Sequence, residues 1–539
     1  MHDTLSTAHN LNEKENSGIS IGSNGNVYKI PSKEELEYDY VSIKNRAYEF
    51  INGNKNRKII VIQGIGFVGS AMAAVVSDTK DSQGSVLYFV IGVDLPTPDA
   101  YWKIGMINDG LCPVVSEDER LRNAIYNCVK NQKNLIATSS EKAYELADII
   151  IVDVHLDVKN RVFTGVKDIE VSIEGFKKAI ETMGKYMKED ALVFVETTVP
   201  PGTCKKIVKP VLSKIRKERS IEKPVRIAHS YERVMPGKNY FDSIKNFWRT
   251  YAGIDSESEE MAKEFLSTII NTKNFSLFCL KDTTASELAK VLENSYRATN
   301  IALIYEWTLL CEQLGLNLFE ITKSIKVRKG THDNIKDPGF GVGGYCLPKD
   351  SFLAQWSACN LFSSDVVLNM TMDAMNINHN MLKHTFELLK NSFNNDLQGK
   401  KVLICGISYL QDVADTRNSP TAMLADLISD YKGIPIVHDP FVNYWTERPN
   451  ITKVSDIFYV VKDVDAVVFA VPHSFYLNLD INRLISEMKH SIIVIDAQNI
   501  ITDDKAIELH NARCYVKGVG KGHWNALLKQ NRNLLNIKG

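Results

Sequence analysis

Apolar residues along this chain follow two rhythms. Short unbroken runs of β-branched and aliphatic residues, such as KIIVIQ from Lys58 and DIIIVDV from Asp148, read as strands buried on both faces. Between them, over Glu117–Lys130 and Ile173–Lys188, apolar positions recur every three or four residues, which predicts helices with one buried stripe. Further strand-like runs at Val86–Val93, Leu192–Glu196 and Val225–Ala228 continue the alternation, so this half reads as a parallel sheet with helices on both faces. From Asp255 the pattern changes: Glu257–Asn271, Thr284–Leu314 and Leu318–Lys326 are helical, with little strand signal between them. The Thr284–Leu314 stretch has more apolar positions than a solvated helix requires and is expected to pack on several sides, a second subunit included. Strand–glycine–helix signals return with KVLICG at Lys401–Gly406, followed by IPIVHDP, DAVVFAVP and SIIVIDAQN.

The expected fold class is therefore α/β: two Rossmann-like doubly wound domains joined by a central all-helical region. The expected divisions are a polar, mobile N-terminal extension over 1–50, a first α/β domain over 51–255, a helical domain over 256–395 and a second α/β domain over 396–539. A length of 539 residues is ample for several cores. With 64 Lys+Arg against 65 Asp+Glu, the net charge of −1 offers no general attraction to nucleic acid or anionic lipid. The longest apolar runs fall far short of the roughly 20 residues that span a bilayer. Nine scattered cysteines, an odd number without C-x-x-C pairs, fit neither a disulfide framework nor a cysteine zinc site. A reducing cytoplasm and no metal are expected, and the polar N-terminus carries no export signal.

Three features carry chemistry. Gly64, Gly66 and Gly69 spell G-x-G-x-x-G between a strand and a helix, a pattern that brings backbone N–H groups against a pyrophosphate. Asp94 closes the second strand and can accept from ribose hydroxyls, favouring NAD over NADP, although it lies 30 residues beyond Gly64 and TKDSQGS must loop out between. Gly406-Ile-Ser lacks the full fingerprint and reads as a nucleotide-handling or structural turn. The second feature is PGFGVGGYCLPKD at 338–350, where Cys346 follows four glycines and precedes Lys349 and Asp350; a reactive thiol is expected there, whereas Cys279, Cys311 and Cys405 are expected in packing. The third is Lys290 and Asn294, four apart on one helix face, an ammonium and a carboxamide suited to a developing oxyanion.

Taken in order, GIGFVG, ADIIIVDV, ETTVPPGT, YERVMPGK, ELAKVLENSYRATNIALIYE, PGFGVGGYCLPKD, GISYLQDVADTRNSP, VHDP and DAVVFAVPHS make the chain resemble the UDP-glucose/GDP-mannose dehydrogenase family over about residues 57 to 525. The resemblance implies an N-terminal NAD domain, a central dimerisation region and a C-terminal domain for the UDP-sugar substrate. It implies a cytoplasmic homodimer or higher homo-oligomer that oxidises sugar C6 twice, alcohol to aldehyde to carboxylate. Cys346 matches the nucleophile, Lys290 and Asn294 the oxyanion pair, Asp350 the water-positioning acid, and Glu232 a further catalytic group. Gly64, Gly66, Phe67, Val68, Gly69, Asp94, Thr198 and Arg417 fall on cofactor positions. Arg233, Arg328, Phe340, Gly341, Gly343 and Gly344 fall on substrate positions, Arg328 as a residue supplied to the neighbouring subunit.

Three departures stand against that pattern. Tyr409-Leu410 replaces an aromatic–lysine pair, Val154-His155-Leu156-Asp157 replaces V-P-T-P, and YERVMPGK points to UDP-N-acetylhexosamines where GGYCLPKD is shared with UDP-glucose and GDP-mannose enzymes. A GDP-mannose-type dehydrogenase and a non-catalytic nucleotide-sugar-binding protein are the alternatives.

Overall fold

The apolar runs become strands in the computed structural model, which describes residues 18–22, 24–114, 116–234 and 237–538, with side chains to 531. The chain divides into two compact units. The first contains residues up to Asp157, Val171–Val291 and Trp356–Ser364; the second contains Val158–Glu170, Leu292–Gln355 and the chain from Asp365 onward.

The first unit opens with an antiparallel hairpin, β1 (Ile19–Ile21) and β2 (Val27–Lys29). Its main sheet is built from β3 (Lys58–Gln63), β4 (Tyr88–Val93), β5 (Leu135–Thr138), β6 (Ile149–Val152), β7 (Leu192–Val195), β8 (Arg226–His229), β9 (Arg249–Gly253) and β10 (Leu277–Cys279). The spatial order is β10-β9-β8-β7-β6-β3-β4-β5, parallel throughout except where β9 runs against β8. Successive residues of β3 serve opposite cores: Ile60 and Ile62 join Met72, Val75, Phe194 and Phe265, while Ile59 and Val61 join Phe89, Phe176, Ile180 and Met183. Each such side chain contributes roughly 1.5–3 kcal/mol when fully buried. The segment expected to be all-helical from 256 begins inside this unit, because the helix Ser256–Ile269 covers the sheet and β10 extends it beside β9. Cys279 ends β10 exposed, not in packing, whereas Cys311 and Cys405 are buried as expected.

Of the extension expected over 1–50, residues 1–17 lie outside the described residues, and the stretch from Lys33 is not a loose tail. A capping box between Ser32 and Glu35 starts a helix over Lys33–Ile51. Tyr40, Ile43 and Ala47 form a buried stripe on it, and Tyr40 donates to the Glu145 carboxylate at 2.9 Å. Only three buried positions in 19 residues produce too faint an apolar period to announce itself among eight charged side chains. Ile43→Ala is expected to lower stability by about 2–4 kcal/mol, read as a fall in the denaturant midpoint of this unit. An unchanged midpoint would return this helix to the status of a detached extension.

The second unit holds a six-stranded parallel sheet of β11 (Lys401–Cys405), β12 (Ile434–His438), β13 (Thr452–Val454), β14 (Ala466–Phe469), β15 (Ile493–Asp496) and β16 (Tyr515–Gly518), ordered β13-β12-β11-β14-β15-β16. Val402 and Ile404 pack with Leu382, Phe386 and Leu389 of the helix Asn369–Ser392; Leu403 and Cys405 face Val467, Leu484 and Trp524. The 31-residue helix Thr283–Gln313 supplies its first turns to the first unit and the rest to the second. Leu292, Tyr296, Leu303 and Leu310 on it are exposed in the single chain.

Candidate active site

In an open doubly wound sheet, ligands bind beyond the carboxyl ends of strands where the strand order reverses. In the first unit that point lies between β3 and β6. Gly64, directly after β3, has φ +90°, and a Cβ there would meet the Asp153 carbonyl after β6 at 2.9 Å. A Cβ on Gly69 would collide with the Gly64 carbonyl, so the helix Phe67–Ser77 seats this closely only with glycine. Nothing lies within 4 Å of a Cβ built at Gly66, so a phosphate can approach the backbone closely at this helix start. Phe67 and Val68 form that first turn, with the Phe67 ring 4.9 Å from Tyr240. Asp94 sits at the end of β4; its Oδ2 accepts from the Ile65 N–H at 3.2 Å and pairs with Lys103 at 2.6 Å, and its Oδ1 accepts from the Leu95 N–H at 2.8 Å. The cradle fits a dinucleotide: a tight turn, an uncovered helix start and an acid at the ribose position.

Acids also close the next three strands: Asp153 follows β6, Glu196 follows β7, and Glu232 lies three residues beyond β8. Arg249 of β9 pairs with Glu196 and donates to Ser230 Oγ at 3.1 Å. Burial lowers this guanidinium to about 10. Lys290, on the helix from Thr283, donates to the Glu232 carbonyl at 2.9 Å and stands 3.6 Å from its carboxylate. Glu232 also accepts from the N–H of Val234. Burial pushes the Asp153 carboxyl well above the usual range, with the Glu232 charge adding to the effect. His229 is driven down to about 3 by burial and by Lys290, so its ring is neutral. Thr198 is buried in the loop after β7. Glu287 anchors that loop by accepting from the N–H groups of Gly202 at 2.5 Å and Cys204 at 2.7 Å. Arg233 is held by the Trp248 carbonyl at 2.8 Å and the Tyr231 hydroxyl at 2.9 Å.

In the second unit the thiol loop and a crevice lie together. Cys346 is half-buried in a turn, and its carbonyl accepts from the N–H groups of Lys349 at 3.0 Å and Asp350 at 2.9 Å, where the helix Asp350–Asn360 begins. The Asp350 carboxylate is buried between the Asn294 amide at 2.7 Å and the Lys349 ammonium at 3.0 Å. Gly344, with φ +83°, donates to the Arg417 carbonyl at 3.1 Å and accepts from the Asn418 amide at 3.0 Å. A Cβ on Gly343 or Gly344 would press into Tyr409 at 2.8 Å, so these glycines let the loop lie flat on that ring. Arg417 folds back onto Asp415, with Nε at 2.9 Å, and lies 5.7 Å from the Tyr345 ring.

The strand order of the second sheet reverses between β11 and β14, and a cavity of about 500 Å³ opens there. Phe340, Gly341, Tyr409, Leu410, Val471 and Gln498 are among its walls. Gly406-Ile-Ser, expected as a nucleotide-handling or structural turn, is built like the first one: Gly406 has φ +99° and Asp439, after β12, accepts from the Ile407 N–H at 2.8 Å. Burial alone would raise the Asp439 carboxyl, but the His473 ring at 3.1 Å and the N–H groups of Ile407 and Phe441 hold it below the usual range. Asp439 and His473 are detectable in the sequence only as the acid after a second strand in VHDP and the histidine in VPHS.

Three family models cover the chain in order: the NAD binding domain of the UDP-glucose/GDP-mannose dehydrogenase family over residues 57–270, its central domain over 284–380, and its UDP binding domain over 403–503. The chain belongs to the UDP-glucose/GDP-mannose dehydrogenase family. Among proteins of known name, it is similar to a UDP-N-acetyl-D-mannosamine dehydrogenase of Methanocaldococcus jannaschii, 29% identical over 468 residues that cover 86% of this chain and 97% of that protein. Among solved structures it resembles a UDP-D-ManNAc dehydrogenase from Pyrococcus horikoshii, at 25% identity and TM-score 0.72, covering 86% of this chain and 100% of that one. It also resembles an NDP-N-acetyl-D-galactosaminuronic acid dehydrogenase from Methanosarcina mazei, at 26% identity and TM-score 0.71, covering 89% and 98%.

Within the UDP-glucose/GDP-mannose dehydrogenase fold, the expected residues gather in two groups. Gly64, Gly66, Phe67, Val68, Gly69, Asp94, Thr198, Glu232, Arg233 and Lys290 belong to the first unit; Asn294, Phe340, Gly341, Gly343, Gly344, Cys346, Asp350 and Arg417 belong to the second. The pair expected to share one task is divided, since the Lys290 ammonium goes to Glu232 and the Asn294 amide to Asp350. Arg328 is exposed in the turn after the helix Leu318–Ile325. Met235 and Pro236 of YERVMPGK lie outside the described residues. Among the described residues, no helix is long and apolar enough to cross a membrane.

Proposed function

We propose that this protein is an NAD-dependent nucleotide-sugar 6-dehydrogenase that oxidises the C6 hydroxyl of a UDP-N-acetylhexosamine to a carboxylate through Cys346. The observation that carries the reading is the presence in one chain of a dinucleotide turn, a nucleotide-sized crevice at a second switch point, and a half-buried thiol at a helix start on the loop that walls the crevice. The relatives' names favour the N-acetylhexosamine over glucose, and the UDP binding description favours uridine over guanosine.

A nicotinamide dinucleotide held by the Gly64–Gly69 turn and Asp94 would supply the hydride acceptor for both oxidations. The chain's own residues do the rest. In the first step a base removes the C6 hydroxyl proton while the Lys290 ammonium stabilises the oxyanion. In the second, the Cys346 sulfur adds to the aldehyde carbon, converting a carbonyl with no easily lost hydride into a thiohemiacetal that has one. Loss of that hydride leaves a thioester. Asp350, fixed by Asn294 and Lys349, orients the water that hydrolyses it and frees the thiol. One alcohol, one water and two oxidised cofactors become one carboxylate, two reduced cofactors and three protons.

The test is NADH formation with a panel of UDP-N-acetylmannosamine, UDP-N-acetylglucosamine, UDP-N-acetylgalactosamine, UDP-glucose and GDP-mannose. One UDP-N-acetylhexosamine is expected to exceed UDP-glucose and GDP-mannose in kcat/KM by about 100-fold or more. Preference for GDP-mannose would overturn the substrate reading. Binding of UDP-sugars without any NADH would establish the non-catalytic alternative.

A further inference from the structure

Asp153 is not among the residues that the sequence motifs single out, and the altered Val154–Asp157 segment begins directly after it. Its backbone forms the far wall of the dinucleotide turn: glycine is required at 64 because φ is +90° and a side chain there would strike the Asp153 carbonyl. Its N–H donates to the Gln63 carbonyl at 2.8 Å, which locks the residue to the end of β3. Both carboxylate oxygens are buried, and neither has a hydrogen-bond partner among the described residues. No donor is within hydrogen-bond reach among the described residues: Arg249 pairs with Glu196 and donates to Ser230, acting on Asp153 only through its charge, and Lys290 donates to the Glu232 carbonyl. A buried carboxylate with no donor beside a second carboxylate is a costly arrangement, and a carboxylic acid facing a ligand is an inexpensive one.

We infer that Asp153 is a further residue of the dinucleotide site, its carboxyl group donating a hydrogen bond to an acceptor atom of the bound nicotinamide nucleotide. The inference rests on the NAD assignment and deepens it. Burial first, and the Glu232 charge after it, favour the protonated form against the opposing charge of Arg249. Deprotonation removes the donor and adds a negative charge beside an anionic ligand, so NAD affinity falls as pH rises through this titration. The charged groups that act on Asp153 are Glu232, three residues beyond β8, and Arg249 from β9. His229 titrates near 3 and Arg249 near 10, outside the range from pH 6 to 9.

The experiment is the dissociation constant of NAD, measured by calorimetry from pH 6 to 9, for the full-length wild type, Asp153→Asn and Asp153→Leu, with UDP affinity and the melting temperature as controls. The wild type is expected to weaken as pH rises and the Asp153 carboxyl ionises. Asp153→Asn keeps a donor and cannot ionise, so its affinity at pH 6 stays within about threefold of wild type and its profile is flat. Asp153→Leu, of similar size and without a donor, binds about tenfold more weakly at pH 6 with unchanged UDP affinity. A slope that persists in Asp153→Asn overturns the inference, as does a Leu variant that binds NAD like wild type; should the Leu variant not fold, the Asn profile decides. A wild type that binds no NAD at any pH would instead overturn the cofactor assignment itself.

Discussion

Cys346→Ser is expected to abolish net acid formation, lowering steady-state NADH production by about 1,000-fold or more while leaving UDP affinity within about twofold. The hydroxyl of serine does not ionise at neutral pH and is a far weaker nucleophile toward an aldehyde than sulfur. The first oxidation needs no sulfur, so the variant should still release a small amount of NADH, at most about one equivalent per site, and retain aldehyde. Substitution of a thiol that served only to pack would move stability and leave turnover in place. The half-buried position of Cys346, in contrast with the buried Cys405 and Cys311, argues for the first outcome.

Lys290→Met is expected to lower kcat by about 100- to 1,000-fold with KM for the sugar nucleotide changed by less than about threefold. The ammonium is almost wholly buried and pairs with Glu232, so the loss acts in two ways: a donor to the oxyanion disappears and the Glu232 carboxylate is left without its cation. Removing one partner of a buried pair costs about 3–5 kcal/mol, so a lower melting temperature should accompany the kinetic defect. Lys290→Arg is not expected to rescue it, because a planar fork cannot take the place of a compact ammonium between a carbonyl and a carboxylate. A variant that lost stability but kept its turnover number would assign Lys290 to scaffolding alone.

The apolar runs at Lys58 and Lys401 are legible because a strand buried on both faces has no polar positions to blur it, and the glycines after each run mark the turns that the structure confirms. The short strand β5, LIAT, and the reversed β9, RTYAG, are too brief or too polar to stand out, and β10 hides among helices. The helix at Lys33–Ile51 escapes notice for the same reason, its stripe being three residues wide. In the site, Gly64, Gly66, Gly69, Cys346 and Lys290 are legible from motif and spacing. Asp153, Glu196, Arg249 and Glu287 are not, since a charged letter in a sequence looks alike whether it faces water or closes a buried strand. What distinguishes them is the company they keep in three dimensions: Glu287 is pushed up to about 7 by burial while it holds two backbone N–H groups of the loop after β7.

The covalent role of Cys346 is tested most directly by trapping. Wild-type enzyme turning over its UDP-sugar with NAD is quenched in acid, digested, and the peptide containing GGYCLPKD is weighed. A mass increase equal to the sugar-nucleotide acyl group on Cys346, removable by hydroxylamine and absent from Cys346→Ser, is the predicted result. An enzyme that makes the acid at full rate while this peptide keeps its unmodified mass at every quench time, and while Cys346→Ser makes it equally fast, would contradict the account.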